Sequence, residues 1–417
     1  MAFVAALRRA TRPELRRLGP PPCRRLLNGL APATQQLVDS LQTVKLNNGL
    51  TMRYCDTAPG DASKPLVVLM HGWPESWFSW RHQLASLDAA GYRAVAPDLR
   101  GFGGTDAPAD TADYGVAKRT GDMKALLDHL ETDDAAFVGH DHGAFTGWLL
   151  AQLEPEIVRC YYALSVPVRA KRRPVTVRDL GWGNNEQSSR FVGAKRAPVA
   201  PLWLMRKTAY GDETRKTSVY GWGHLYPWAP QPTKFFYILH HHLPHAASDY
   251  AEDARAAQMA LQFGDRVDGA TPPLHELRGD LYDGDATPAI WKRIPQPTKL
   301  APWVTQAEVD YVVDEYERNG WEGGLHWYKT MDPDWEATPQ LKGDGRKLKV
   351  PAGFLAGTED LVVDMFGGVE KITADLKATC AANDPPITFL EGGGHWIQQE
   401  RPGDVNEKLL EFLAEYN

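Results

Sequence analysis

The sequence predicts an α/β fold, with a mostly parallel central sheet interrupted by a large, mainly helical insertion. Short and wholly apolar runs recur at 66–70, 135–138 and 350–355, with the length and composition of strands buried on both faces. Stretches of helical spacing, such as 116–130 and 144–153, separate them, and strand–helix alternation builds parallel sheets. This rhythm stops after Val166-Pro167 and resumes only near Leu348.

In chain order, residues 43–55 alternate around Asn48-Gly49, with Val44 and Leu46 before the pair and Leu50, Met52 and Tyr54 after it. That pattern predicts a hairpin. The run 66–70 ends in His71-Gly72, and 94–96 ends in Pro97-Asp98. A helix follows over 116–130, a strand over 135–138 running into Gly139, a helix over 144–153 and a strand over 160–165. From about 168 to 345 the chain is rich in Trp, Tyr, His, Pro and Arg and offers no convincing buried strand. Strands are expected again at 350–355 and 387–390, then a final amphipathic helix over 405–416. The expected organisation is a basic extension (1–30), the first part of the core (31–167), a cap or lid (168–345) and the second part of the core (346–417).

A chain of 417 residues suits two domains, or one domain with a large insertion. Its composition, 43% hydrophobic and 24% charged, is that of an ordinary globular protein. A net charge of −7 leaves no basic footprint for nucleic acid. No apolar run approaches the roughly 20 residues of a membrane span. Cys23, Cys55, Cys160 and Cys380 stand singly, as free thiols in a reducing compartment and not as a disulfide frame or zinc site. The first 25 residues set Arg8, Arg9, Arg12, Arg16, Arg17, Arg24 and Arg25 against one acid, Glu14. That composition fits an organelle transit peptide, mitochondrial or chloroplast, or a basic tail on a cytosolic enzyme. The final residues, Ala414 to Asn417, are not a peroxisomal address.

The strongest chemical signal is Phe137-Val138-Gly139-His140-Asp141-His142-Gly143-Ala144. It reads as a strand, a turn flanked by small residues, and a helix, the pattern of a nucleophile elbow. Asp141 occupies the place where Ser is usual. A carboxylate there suits displacement at saturated carbon, giving an ester on its own side chain. The blander reading is a helix N-cap. Turnover of such an ester needs a base, normally His held by an acid, and the expected chain order is nucleophile, acid, His. Asp360, preferred over Glu359, and His395 follow in that order, each just after an expected strand. The oxyanion would be held by the backbone N–H groups of His142 and Trp73.

Together these residues closely resemble the soluble epoxide hydrolases of the α/β-hydrolase superfamily. The resemblance rests on His71-Gly72-Trp73-Pro74-Glu75-Ser76-Trp77, Gly91-Tyr92-Arg93, the run from Pro97 to Gly103, Gly139-His140-Asp141, and the run from Gly394 to Pro402. It covers about 40–167 and 346–417. It implies the α/β-hydrolase fold, hydrolysis of an epoxide to a vicinal diol, and no cofactor or metal. The partner is a small-molecule epoxide, with fatty-acid epoxides among the candidates, and the chain would be a monomer or homodimer. The resemblance also implies two cap tyrosines that hold and protonate the epoxide oxygen. Leu325-His326-Trp327-Tyr328-Lys329-Thr330-Met331 supplies Tyr328, and Phe235-Phe236-Tyr237-Ile238-Leu239 supplies Tyr237, with Tyr220 and Tyr226 as competitors. His71, Gly72, Pro74 and His140 would support the site from behind.

The chain departs from this pattern where His142 follows the nucleophile in place of Trp, leaving a smaller and more polar wall. The stretch 168–230 is also longer than the family leads one to expect. It carries Arg169, Lys171, Arg172, Arg173, Arg178, Trp203, Trp222 and Trp228, and would serve as a lid or a dimer contact. His240-His241-His242 and His245 invite a metal reading. Adjacent histidines point apart, and Pro244 interrupts the His241/His245 face, so pocket lining or a solvated surface fits better. The alternative enzyme is a haloalkane or haloacid dehalogenase with the same triad. His142 supplies no halide stabiliser, and a halide leaves without a proton. A further alternative is a catalytically silent α/β-hydrolase scaffold that binds without turnover.

Overall fold

A computed structural model describes residues 29–168, 237–265, 290–293, 296–341 and 347–417. The basic start, Cys23, Tyr220, Tyr226 and the long 168–230 stretch beyond Val168 lie outside these residues. The fold is that of an α/β-hydrolase. Its eight strands are β1 (Gln42–Lys45), β2 (Thr51–Asp56), β3 (Leu66–Met70), β4 (Arg93–Pro97), β5 (Ala135–His140), β6 (Val158–Leu164), β7 (Ala352–Gly357) and β8 (Ile387–Leu390). They form one sheet in the order β1-β2-β4-β3-β5-β6-β7-β8. The β1–β2 and β2–β4 pairs are antiparallel and the rest parallel.

The β1–β2 hairpin turns at Gly49, whose φ of 89° is open to glycine. Every residue of β3, β4, β5 and β7 is buried, as unbroken apolar runs require when helices cover both faces. Four helices flank the first part of the sheet: α1 (Pro32–Asp39), α2 (Arg81–Ala89), α3 (Val116–His129) and α4 (His142–Leu153). Several boundaries differ from the sequence reading. Helix α4 starts at His142 and not at Ala144, because the chain turns into it directly at Asp141. Strand β7 starts at Ala352 and not at 350, since Pro351 has no N–H to donate to the ladder, although its carbonyl accepts from the Tyr161 N–H at 2.9 Å. The last helix begins earlier, at Pro402, where proline is favoured in the first turn.

Strands β6 and β7 are hydrogen-bonded neighbours, so the chain between them leaves the sheet and returns beside its point of departure. The described part of that stretch is helical, including Ala254–Gln258, Gln306–Asn319 and Glu322–Lys329, with one isolated bridge between Gly264 and Leu300. A full capping box at Thr305 and Glu308 starts the longest of these helices. Buried ion pairs tie this region to the sheet and to the helices beside it. Arg53 on β2 pairs with both Asp98 and Glu315, Arg81 with Glu308 at 2.7 Å, and Arg119 with Asp334. Cys55, Cys160 and Cys380 are buried free thiols. No helix among the described residues is long and apolar enough to cross a membrane.

Candidate active site

The turn from β5 into α4 carries the central side chain. Asp141 has φ 51° and ψ −116°, a backbone region that costs a non-glycine residue energy and persists only where its surroundings fix it. The small neighbours fix it. A Cβ on Gly143 would run into the Met70 carbonyl, one on Gly139 into the Gly143 carbonyl, and one on Gly72 into the Asp141 side chain. Strand, turn and helix can approach this closely only with glycine at all three places. Asp141 caps no N–H of α4 with its side chain, so the N-cap reading does not account for it.

The Asp141 carboxylate has two different environments. Its Oδ1 accepts the Trp73 backbone N–H at 3.0 Å, from the loop after β3. Its Oδ2 faces His395 Nε2 at 3.7 Å. The other imidazole nitrogen of His395, Nδ1, donates to Asp360 Oδ1 at 2.9 Å. Asp360 is buried and also caps the short helix Leu361–Met365 by accepting the Val362 N–H at 2.8 Å. Glu359 beside it is exposed. All four segments follow the C-terminal ends of strands β3, β5, β7 and β8, where α/β sheets place their sites.

Burial alone would raise the Asp141 carboxyl, but the imidazoles of His142, His395 and His140 outweigh it and hold the group well below the usual carboxylate range. Burial alone would lower His395. The charges of Asp360 and Asp141, with their hydrogen bonds, reverse this and raise it well above its ordinary value. His395 is thus a strong proton holder while both carboxylates beside it are ionised.

Behind this trio lies a second layer. His140 joins Glu75 Oε2 through Nδ1 at 2.7 Å and the His395 carbonyl through Nε2 at 2.8 Å. Ser165 Oγ donates to the same carbonyl at 3.0 Å. Glu75 Oε2 also accepts the Gly72 N–H at 2.7 Å, and Oε1 accepts from Gln398 at 2.8 Å. Burial would raise the Glu75 carboxyl, but His140 and the other donors bring it below its ordinary value. His71 is buried and does not reach Asp141's carboxylate. Its Nε2 accepts the Leu99 N–H at 3.0 Å and its Nδ1 donates to the Gly72 carbonyl at 2.8 Å, fixing the loop. The Pro74 carbonyl accepts from Gln258 at 3.3 Å, joining that loop to helix Ala254–Gln258.

Tyr328, on helix Glu322–Lys329, is 4% exposed and packs edge-on against His142 with 4.3 Å between ring centroids. Its ring also lies 5.7 Å from that of Trp73. It therefore sits over the residues on either side of the Asp141 carboxylate. Tyr237 begins the helix Tyr237–His241, and its side chain lies outside the described set. His241 is fully buried, 4.3 Å from the Tyr328 ring and 4.5 Å from the Trp73 ring, with Nε2 hydrogen-bonded to the Tyr250 hydroxyl at 2.8 Å. Burial holds His241 well below its ordinary pKa, so it is neutral. The pocket-lining reading of the His cluster thus fits His241. No group of three His, Cys, Asp or Glu side chains among the described residues is arranged to hold a metal ion.

Sequence reasoning missed the roles of Glu75 and Tyr250. Glu75 was visible as an acid in the His71-to-Trp77 run, yet its buried partner lies 65 positions away in the chain and leaves no local trace.

A family model described as alpha/beta hydrolase fold matches residues 65–402. The chain is 32% identical over 381 residues to Epoxide hydrolase A of Mycobacterium tuberculosis, covering 91% of this chain and 97% of that protein. It is 28% identical to Epoxide hydrolase 3 of Siraitia grosvenorii, covering 91% and 100%. Among solved structures, Epoxide Hydrolase A from Mycobacterium thermoresistibile superposes with a TM-score of 0.67 at 33% identity, covering 91% of this chain and 99% of that one. An epoxide hydrolase from an endophytic Streptomyces gives 0.68 at 26% identity, covering 90% and 95%.

Proposed function

Because this chain belongs to the epoxide hydrolases of the α/β-hydrolase fold family, we propose that it converts an epoxide and water to a vicinal diol through an alkyl ester on Asp141. The observation that carries this reading is the unequal pair of Asp141 oxygens. Oδ1 is already held by the Trp73 N–H, as an ester carbonyl would need to be. Among the described residues Oδ2 has no backbone donor, which leaves it to act as the nucleophile.

In the first step Oδ2 attacks an epoxide carbon from behind and the C–O bond breaks. The departing alkoxide is a poor leaving group and takes a proton from Tyr328 and Tyr237. In the second step water attacks the Asp141 ester carbonyl while His395 accepts its proton. The developing charge on Oδ1 is met by the N–H groups of Trp73 and His142, the latter unpaired because it opens helix α4. Collapse expels the diol oxygen, which takes the proton from His395, and the Asp141 acid left behind passes its own proton to His395, restoring the carboxylate and the protonated imidazole. Asp360 orients His395 and stabilises its cationic form. His71, Gly72, Pro74 and His140 hold these groups in place.

The proton inventory favours this order. While Asp141 is ionised, two anions keep His395 protonated. Esterification neutralises Asp141 and removes one of them. His395 then releases its proton more easily and becomes a base when a base is required. The proton it loses balances the one that the tyrosines gave to the alkoxide. In this reading residues 168–345 form a cap over the core halves 31–167 and 346–417.

His395→Gln should stop the second step and leave the first. Intact-mass analysis after mixing with an epoxide should show one added substrate mass, located on the peptide holding Asp141. Asp141→Ala should show neither adduct nor turnover. An adduct on another residue, or full activity in Asp141→Ala, would overturn the mechanism.

A further inference from the structure

His142 performs only a backbone role in the mechanism above, yet its side chain is held beside the reacting groups. It is 8% exposed and follows the nucleophile directly. Its ring faces Tyr328 edge-on at 4.3 Å and Trp327 at 5.8 Å. Asp141, His395 and Arg119 are near enough to influence its charge. Among the described residues nothing hydrogen-bonds to either of its nitrogens. Neither nitrogen is among the buried polar atoms left without a partner, so both are open to a group that enters beside them. A pocket that holds such a group beside its reacting atoms is built to meet a partner brought by the substrate.

Burial pushes the His142 pKa down to about 4, so the ring is neutral near pH 7. A neutral imidazole has one N–H donor and one acceptor nitrogen. That combination matches a hydroxyl, which can accept from the one and donate to the other. Its ring packs against Tyr328, which protonates the epoxide oxygen in this mechanism, so the imidazole stands beside the position of the oxirane. A plain alkyl chain there would leave both nitrogens unsatisfied.

Resting on the epoxide-hydrolase reading above, we propose that His142 selects epoxides with a hydroxyl on the carbon next to the oxirane, that is, 2,3-epoxy alcohols, over their hydrocarbon counterparts. The ring contact with Tyr328 fixes the imidazole edge, so the hydroxyl is recognised in one orientation relative to the oxygen being protonated. Sites that hydrogen-bond a substrate hydroxyl discriminate strongly against analogues without it, because their own buried groups are then left unpaired.

The test compares kcat/KM for trans-2,3-epoxyhexan-1-ol and trans-2,3-epoxyhexane in wild type, His142→Phe, His142→Leu and His142→Gln. The ratio within each protein is read, so a general loss in a variant cancels. Wild type should favour the alcohol by at least about tenfold. His142→Phe, and His142→Leu if the phenylalanine does not fit, should bring the ratio near one. His142→Gln, which keeps a donor and an acceptor, should retain part of the preference. A wild-type ratio near or below one, or an unchanged ratio in the apolar variants, would overturn the proposal while leaving epoxide hydrolysis standing. Failure of wild type to hydrate either epoxide would overturn both.

Discussion

Glu75 and His140 meet at 2.7 Å, Oε2 to Nδ1, with neither side chain exposed to solvent. Glu75 comes from the loop that supplies the Trp73 N–H, and His140 from the strand that ends at Asp141. Since His140 also holds the His395 carbonyl at 2.8 Å, one buried pair links the three segments on which the chemistry depends.

Glu75→Ala should therefore destabilise the protein by about 3 kcal/mol, because it strands a buried polar partner. Denaturant unfolding checks the stability. Glu75 touches no reacting atom and acts by positioning, so kcat should fall more than KM rises. Glu75→Gln, which can still accept from Gly72, should recover part of both losses. Equal stability of the alanine variant would contradict this.

Gly72→Ala tests the closeness of the turn. Its Cβ would collide with the Asp141 side chain. Displacing a nucleophile by about 1 Å costs on the order of 10²-fold in rate. That loss is expected in kcat/KM, with circular dichroism unchanged.

Glu315→Ala removes one of two carboxylates from Arg53, which retains Asp98 at 2.6 Å. Because Arg53 stays paired, the loss of its second partner at this join between β2 and helix Gln306–Asn319 should cost about 2 kcal/mol. The midpoint of urea unfolding should fall accordingly.

The proton inventory predicts a pH signature. His395 is raised above its ordinary value in the free enzyme by Asp360 and Asp141, against the lowering effect of burial. In the ester only Asp360 remains charged. Ester breakdown, followed in single turnovers, should slow on the acid side with an apparent pKa below that of His395 in the free enzyme, measured by NMR. An equal or higher value would contradict the switch.

Much of the fold could be read from the chain because its central strands are buried on both faces. Runs such as Leu66–Met70 and 135–138 have no polar residue to blur them. Boundaries slipped where a single residue governs, as at Pro351, whose effect is on hydrogen bonding and not on hydropathy. Asp141, Asp360 and His395 were legible because each follows a strand in the expected order. Pattern alone does not separate Asp360 from Glu359, since their difference is one of direction: one turns inward to His395 and the other to solvent. Glu75 and His241 act through partners distant in the chain or on another element, and such pairings are invisible to spacing. The region from 168 to 345 has no strand alternation, and its clearest periodicity, Val309, Val312, Val313 and Tyr316 on the helix Gln306–Asn319, does not say what that helix packs against.

The covalent role of Asp141 is tested most directly by a single turnover in heavy-oxygen water with enzyme in excess over epoxide. The first diol should carry its new oxygen from the enzyme, unlabelled, and the label should appear in the Asp141 carboxylate. Label in the first diol and none in Asp141 would mean that water attacks the epoxide directly, and the ester mechanism would be wrong.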